Sequence, residues 1–196
     1  MCGMRREEDI RFANEAAPDY IGFIFDSTRK RYVSPDKAAE LKKMLNPDII
    51  AVGVFVDEDI KTVAKISECG IIDMIQLHGC EEEKYISELR TLTDKPIIKA
   101  FIVSSEDDIH SAAKSSADYI LLDSGCGSGR TFDRSLIGSI GRNYFLAGGL
   151  TPENVSEAVD ELHPFAVDAS SSLETDGCKD LKKMKAFMDS MRKDRF

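Results

Sequence analysis

The chain contains no Cys-x-x-Cys pair. Its five cysteines, Cys2, Cys69, Cys80, Cys126 and Cys178, form an odd set, so neither a disulfide framework nor a zinc ribbon is indicated and reduced thiols are expected. No apolar stretch is long enough to span a membrane. The opening Met1-Cys2-Gly3-Met4-Arg5-Arg6-Glu7-Glu8 has no apolar run of signal-peptide length, and a cytoplasmic protein without a membrane partner is expected. Positive charge is also in deficit: 26 Lys and Arg against 35 Asp and Glu leave a net charge of −9, which disfavours nucleic acid as a partner. No low-complexity stretch or interdomain linker interrupts the chain.

What remains is an ordinary globular balance, 42% hydrophobic and 31% charged over 196 residues, enough for one well-cored domain over residues 1–196 and short for two. Short apolar, β-rich runs recur at nearly constant spacing: Tyr20-Ile21-Gly22-Phe23-Ile24-Phe25, Ile49-Ile50-Ala51-Val52-Gly53-Val54-Phe55, Ile72-Asp73-Met74-Ile75-Gln76-Leu77, Ile97-Ile98-Lys99-Ala100-Phe101, Tyr119-Ile120-Leu121-Leu122, Tyr144-Phe145-Leu146-Ala147 and Phe165-Ala166-Val167. Amphipathic segments alternate with them, such as Ser34-Pro35-Asp36-Lys37-Ala38-Ala39-Glu40-Leu41-Lys42-Lys43-Met44-Leu45, where Ser34 caps and Pro35 takes the first helical position. Strands apolar on both faces with helices between them predict a parallel sheet covered by helices. Glu7–Ala16 reads as a helix, so an eighth strand can come only from Met1-Cys2-Gly3-Met4. With it, the expected fold is a small α/β protein, a single (β/α)8 TIM barrel with a shortened first strand; without it, an open doubly wound sheet competes. The longest irregular segment spans residues 124–131, and the lysine- and arginine-rich end reads as the solvated face and frayed end of a last helix.

Two loops near the end of the chain suit an anion. Phe145-Leu146-Ala147-Gly148-Gly149-Leu150-Thr151-Pro152 runs a strand into paired glycines and then into a helix start, with Thr151 as N-cap and Pro152 in the first turn. Glycines without Cβ let backbone N–H groups approach a ligand, and a helix N-terminus adds a positive dipole end. The next strand leads into Asp168-Ala169-Ser170-Ser171-Ser172. In neighbouring barrel units such loops form a phosphate site, and a small phosphorylated molecule is the expected partner.

In barrels of this type the functional side chains stand at the C-terminal strand ends. Those positions hold Cys2, residues 26–31, Gln76 and His78, Asp123, Gly148 and Gly149, and residues 168–172. Taken singly, Cys2 also fits a small buried residue, Asp123 a loop cap, and Arg31 a member of the solvated Arg29-Lys30-Arg31 cluster. His78 and Cys80 lack further ligands at metal-binding spacing, so no metal or cofactor is expected. His110 and His163 read as structural.

In nine segments taken in order, the chain resembles the phosphoribosylanthranilate isomerase family of tryptophan biosynthesis. They are Cys2-Gly3-Met4, Tyr20-Ile21-Gly22-Phe23-Ile24-Phe25, Arg31-Tyr32-Val33-Ser34-Pro35, Val52-Gly53-Val54-Phe55-Val56, Ile75-Gln76-Leu77-His78-Gly79, Leu121-Leu122-Asp123, Gly127-Ser128-Gly129-Arg130-Thr131-Phe132-Asp133, Leu146-Ala147-Gly148-Gly149-Leu150 and Val167-Asp168-Ala169-Ser170-Ser171. The resemblance implies an Amadori rearrangement of N-(5-phosphoribosyl)anthranilate to the 1-amino-1-deoxyribulose phosphate. By position it implies Asp123 as general acid, Cys2 as general base, Arg31 on the anthranilate carboxylate, and Gly148, Gly149, Ser170 and Ser171 on the phosphate, with Gln76, His78 and Asp168 lining the pocket. A thiol titrating near ~8.5 needs only a modest depression to supply thiolate at neutral pH, whereas a carboxyl near ~3.9 needs burial or a negative neighbour to hold a proton. A planar guanidinium suits bidentate contact with a carboxylate.

Two departures from the family pattern carry expectations of their own. Several residues normally precede the Cys-Gly pair, so either the natural start lies upstream or the first strand is truncated. Ser172 stands where the family has glycine: if the position needs a positive φ, serine adds strain of order ~1 kcal/mol, or else the loop bends differently and the phosphate contact weakens. Competing functions are another sugar-phosphate isomerase or epimerase, an indole-pathway lyase, and a non-catalytic phosphate-binding barrel. A monomer or a homodimer fits the sequence.

Overall fold

Apolar runs of four to six residues can be buried on both faces only inside a sheet that is covered on both sides. The computed structural model, which describes residues 1–123, 137 and 140–192, places seven strands of two to six residues, mostly apolar, hydrogen-bonded in chain order. They are β1 (Tyr20–Ile24), β2 (Ile50–Phe55), β3 (Met74–Leu77), β4 (Ile97–Ile102), β5 (Tyr119–Asp123), β6 (Tyr144–Ala147) and β7 (Ala166–Val167). The pairs β1 to β4 run parallel, with Tyr20 opposite Ile50, Val52 opposite Met74 and Ile75 opposite Ile97. So do β5 to β7, with Ile120 opposite Tyr144 and Phe145 opposite Ala166. Sequential order, parallel pairing and intervening helices make up the topology of a (β/α)8 barrel. Its first strand is reduced to one bridge, Cys2 to Gly22.

The chain divides into two compact units, Met1–Lys99 with Ser116–Asp118, and Ala100–Ser115 with Tyr119–Phe196. The first holds α1 (Glu7–Ala16), α2 (Pro35–Met44), α3 (Ile60–Glu68) and α4 (Glu83–Leu89). Ser34 Oγ accepts from the Lys37 N–H and Pro35 sits in the first turn of α2, as the sequence predicts. Asp9 is buried in the first turn of α1, where its carboxylate accepts from the N–H groups of Arg5 and Arg6, the donors a helix start leaves over. Ile21, Phe23, Phe55, Ile75 and Leu77 from strands and Ile10, Leu41, Val63 and Ile86 from helices are buried, each contributing about 1.5–3 kcal/mol.

The second unit holds α5 (Glu106–Lys114), α6 (Val155–Leu162), a hairpin of β8 (Glu174–Thr175) and β9 (Cys178–Lys179), and α7 (Leu181–Arg192). Its core includes Ile120, Leu121, Leu122, Leu146, Val155, Leu173, Met184 and Phe187. The expected irregular segment at residues 124–131, the Gly127-to-Asp133 motif, Cys126 and the tail beyond Arg192 lie outside the described residues. Among those described, Cys2, Cys69, Cys80 and Cys178 are thiols, and no helix is long and apolar enough to cross a membrane.

Candidate active site

In the first unit, Cys2 is clamped to the middle of β1. Gly22 donates its N–H to the Met1 carbonyl at 2.9 Å, and the Gly22 carbonyl accepts from the N–H groups of Gly3 and Met4 at 2.9 and 3.0 Å. The N-terminal ammonium donates to the Tyr20 carbonyl at 2.9 Å. A glycine is required at position 22, because a Cβ there would lie 2.7 Å from Cys2 Sγ. A short segment with so few ladder bonds thus still buries Cys2.

Arg31 meets the same segment. Gly3 has a φ of +87°, and a Cβ on it would lie 2.5 Å from Arg31 Cδ, so the stem of Arg31 packs against the bare face of Gly3. The loop carrying Arg31 is set by Asp26, whose carboxylate accepts from the Thr28 N–H and hydroxyl and pairs with Arg29 Nε at 3.0 Å. The Thr28 hydrogen bonds, aided by Arg29, hold the Asp26 carboxyl below the usual carboxylate range. Val33 closes the loop by donating its N–H to the Ile24 carbonyl at 3.0 Å. Within the basic cluster Arg29 and Lys30 are exposed, Arg29 being tied to Asp26, whereas Arg31 is half-buried with its stem against Gly3.

Gln76 is buried in β3, and its Nε2 stands 2.8 Å from Nδ1 of His78 just beyond the strand. His78 donates its N–H to the Phe55 carbonyl at 2.8 Å. The next turn rests on a buried ion pair, in which Lys99 Nζ lies 2.8 Å from Glu81 Oε2 and donates to the Gly79 carbonyl at 2.7 Å. Glu81 also accepts from the N–H groups of Gly79 and Asp57 at 2.9 and 2.8 Å.

In the second unit, Asp123 is buried as the last residue of β5, and its carbonyl accepts from the Val103 N–H at 2.9 Å. The two glycines after β6 have φ of 95° at Gly148 and 63° at Gly149, a backbone that favours glycine. Nothing lies within 4 Å of where a Gly149 Cβ would be, so this glycine serves backbone conformation and leaves open space beside it. The helix after them begins later than expected. α6 starts at Val155 with Asn154 as its N-cap, and Thr151 heads the preceding turn, its hydroxyl accepting from the Glu153 N–H at 3.2 Å. The Asn154 side chain makes no cap bond to α6 and instead ties the preceding loop, its amide accepting from the Thr151 N–H at 2.8 Å and donating to the Gly149 carbonyl at 3.0 Å.

After β7, Asp168 donates its N–H to the Leu146 carbonyl at 2.8 Å. Ser170 precedes a 3-10 turn of Ser171–Leu173. Ser172 does not take a positive φ, so the first of its two alternatives does not arise: positive φ among described non-glycine residues falls at Ala17, Asp57, His163 and Asp176. Its hydroxyl instead donates to the Leu150 carbonyl at 2.6 Å, joining the serine turn to the glycine loop. The sequence candidates thus gather as Cys2 with Arg31 and Gln76 with His78 in the first unit. In the second, the bond from Ser172 to Leu150 links the loop of Gly148 and Gly149 to that of Ser170 and Ser171, and Asp123 ends β5 while Asp168 follows β7.

A family model described as N-(5'phosphoribosyl)anthranilate (PRA) isomerase matches residues 1–190. This chain belongs to that family. It is 43% identical over 189 residues to the N-(5'-phosphoribosyl)anthranilate isomerase of Endomicrobium trichonymphae, covering 94% of this chain and 92% of that protein. It is 36% identical, with a TM-score of 0.86, to a phosphoribosyl anthranilate isomerase solved in complex with reduced 1-(o-carboxyphenylamino)-1-deoxyribulose 5-phosphate, covering 98% and 96% of the two chains. Monomers generated from the dimeric phosphoribosylanthranilate isomerase of Thermotoga maritima match with a TM-score of 0.87 at 36% identity, again over 98% and 96%.

Within this isomerase family member, sequence reasoning missed Glu81, Lys99, Glu174 and Lys179. A signal existed for one of them. Lys99 interrupts the apolar run Ile97-Ile98-Lys99-Ala100, and a charge in a strand buried on both faces demands a partner. The Lys179–Glu174 pair, 2.8 Å long with side chains 1% and 8% exposed, had no such signal because its hairpin is short and polar in sequence.

Proposed function

We propose that Cys2 and Asp123 are the base and the acid of the isomerisation. The chain is a phosphoribosylanthranilate isomerase of tryptophan biosynthesis, converting N-(5'-phosphoribosyl)anthranilate to 1-(2-carboxyphenylamino)-1-deoxyribulose 5-phosphate. Asp123 gives its proton to the furanose ring oxygen as the C1'–O bond breaks and the anilino nitrogen forms a C=N bond. The Cys2 thiolate then takes the proton from C2', leaving an enolic amine that becomes the ketone as the 2'-hydroxyl loses a proton and C1' gains one; transfer of one proton by way of water from the Cys2 thiol to the Asp123 carboxylate restores both groups and balances atoms and charge over the cycle. The observation that carries the reading is the clamp of Cys2 on Gly22 with Arg31 lying against the adjoining Gly3. It buries a nucleophilic thiol one residue from the glycine that seats the stem of Arg31, whose guanidinium suits the substrate's carboxylate.

Gly148, Gly149, Ser170 and Ser171 take the phosphate, a role supported by the positive-φ glycine backbone and by the hydroxyl bridge between the two loops. Gln76, His78 and Asp168 line the pocket. The matched span of residues 1–190 supports a single functional domain. The dimeric relative supports a homodimer, with a monomer as the other outcome, and the assignment to the cytoplasm rests on the biosynthetic role.

The test is loss of phosphoribosylanthranilate fluorescence with purified protein and no added metal or nucleotide. Turnover is expected. Activity abolished by EDTA and restored by a divalent ion contradicts the acid-base assignment, and phosphate binding without turnover supports a non-catalytic barrel instead.

A further inference from the structure

The serine loop after β7 is fastened at two points. On one side, the Ser170 carbonyl accepts from Lys179 Nζ at 2.9 Å, and Lys179 is held by Glu174 at 2.8 Å. Both side chains are buried, so this anchor cannot drift with solvent. On the other side, the Ser172 hydroxyl reaches the Leu150 carbonyl. We propose that Lys179 and Ser172 are positioning residues for the substrate phosphate, holding the serine loop in register with the glycine loop.

The geometry follows from the trans peptide. Across one, C=O and N–H point in opposite directions, and no described peptide is cis. Pinning the Ser170 carbonyl to Lys179 therefore aims the Ser171 N–H away from the buried pair. In the same way, Asn154 Nδ2 pins the Gly149 carbonyl at 3.0 Å and orients the Leu150 N–H. Neither anchor alone sets the spacing of the two loops. The Ser172 to Leu150 bridge does, because it is a direct bond between them. A tetrahedral phosphate tolerates little error in the spacing of its donors. A glycine at 172 could not form this bridge, so the hydroxyl is a feature of this chain's own loop.

This rests on the phosphate reading above, and the experiment separates the two. KM, kcat and the inhibition constant of inorganic phosphate are measured for Ser172→Ala, Ser172→Thr, Gly149→Val and the double change Lys179→Met with Glu174→Gln. The double change removes the ion pair without stranding a buried charge. With thermal midpoints confirming folded protein, Ser172→Ala is expected to raise KM and the phosphate constant together by roughly 3–10-fold, with kcat within about twofold. Ser172→Thr, which keeps the hydroxyl, is expected to restore both, and the double change to act in the same direction as Ser172→Ala. If Gly149→Val weakens phosphate inhibition while Ser172→Ala and the double change leave KM and inhibition unchanged, the fastening is overturned and the phosphate site stands. A wild-type enzyme that inorganic phosphate does not inhibit, with Gly149→Val silent, overturns the site and the fastening with it.

Discussion

Lys99 Nζ and Glu81 Oε2 lie 2.8 Å apart with their side chains only 7% and 2% exposed. Burial by itself raises the Glu81 carboxyl, but the hydrogen bond and charge of Lys99 and the Asp57 N–H outweigh it and hold the group below its ordinary value of 4.5. A depressed carboxyl contributes stability that is fully present above the unfolded value and is lost as pH falls through the folded one. Wild-type stability should therefore decline on acidification below about pH 4.5. Glu81→Gln should cost about 3–5 kcal/mol at neutral pH by stranding the buried ammonium, and should flatten that acid decline. Urea unfolding at several pH values, with Glu81→Gln/Lys99→Met expected to recover part of the loss, checks both.

The proposed acid and base have a direct kinetic signature. Cys2→Ala and Asp123→Asn should each lower kcat by at least ~10²-fold with substrate affinity largely kept, since each removes a proton transfer and no ground-state contact. Single-turnover fluorescence separates binding from chemistry. Near-wild-type turnover in either variant removes that residue from its role.

Gly22 offers a test that leaves Cys2 itself in place. A methyl at this position would sit 2.7 Å from Cys2 Sγ and 3.2 Å from its backbone Cα, so the thiol has to move. Gly22→Ala should reduce kcat by about tenfold or more, because displacement near 1 Å at a reacting group is costly. An equal loss in thiol-independent stability with unchanged kcat would show that the clamp serves folding alone.

Arg31 and Gly3 should act as a pair. Arg31→Ala removes a contact made in both ground and transition states, so KM should rise before kcat falls. Gly3→Ala should give a smaller rise of the same kind, since its Cβ would push on Arg31 Cδ from 2.5 Å and its φ of +87° strains any side chain. Steady-state kinetics of the single and double variants should show less than additive effects, the mark of a shared contact.

Strand positions were readable in the residues because a strand buried on both faces is apolar along most of its length, as Ile50–Phe55 and Tyr144–Ala147 are. Ser34 and Pro35 were readable for a similar reason, since a helix start is satisfied by its own neighbours within three residues. The strand ends then named Asp123, Gln76 and the two anion loops, and the family resemblance supplied the chemistry. Only the tertiary structure decided what lies between distant positions. Gly22 has to be bare for Cys2, Gly3 for Arg31, and Lys99 finds Glu81 eighteen residues away. Asn154 rather than Thr151 stands at the start of α6, and its amide ties the Thr151 N–H to the Gly149 carbonyl five residues earlier. Ser172, where the residues alone left strain or a changed bend as alternatives, became a bridge because folding brings the Leu150 carbonyl, 22 residues earlier, within reach of its hydroxyl. Local pattern records what a residue's immediate neighbours require, whereas hydrogen bonds across 18 or 22 residues depend on which strands and turns the fold sets side by side.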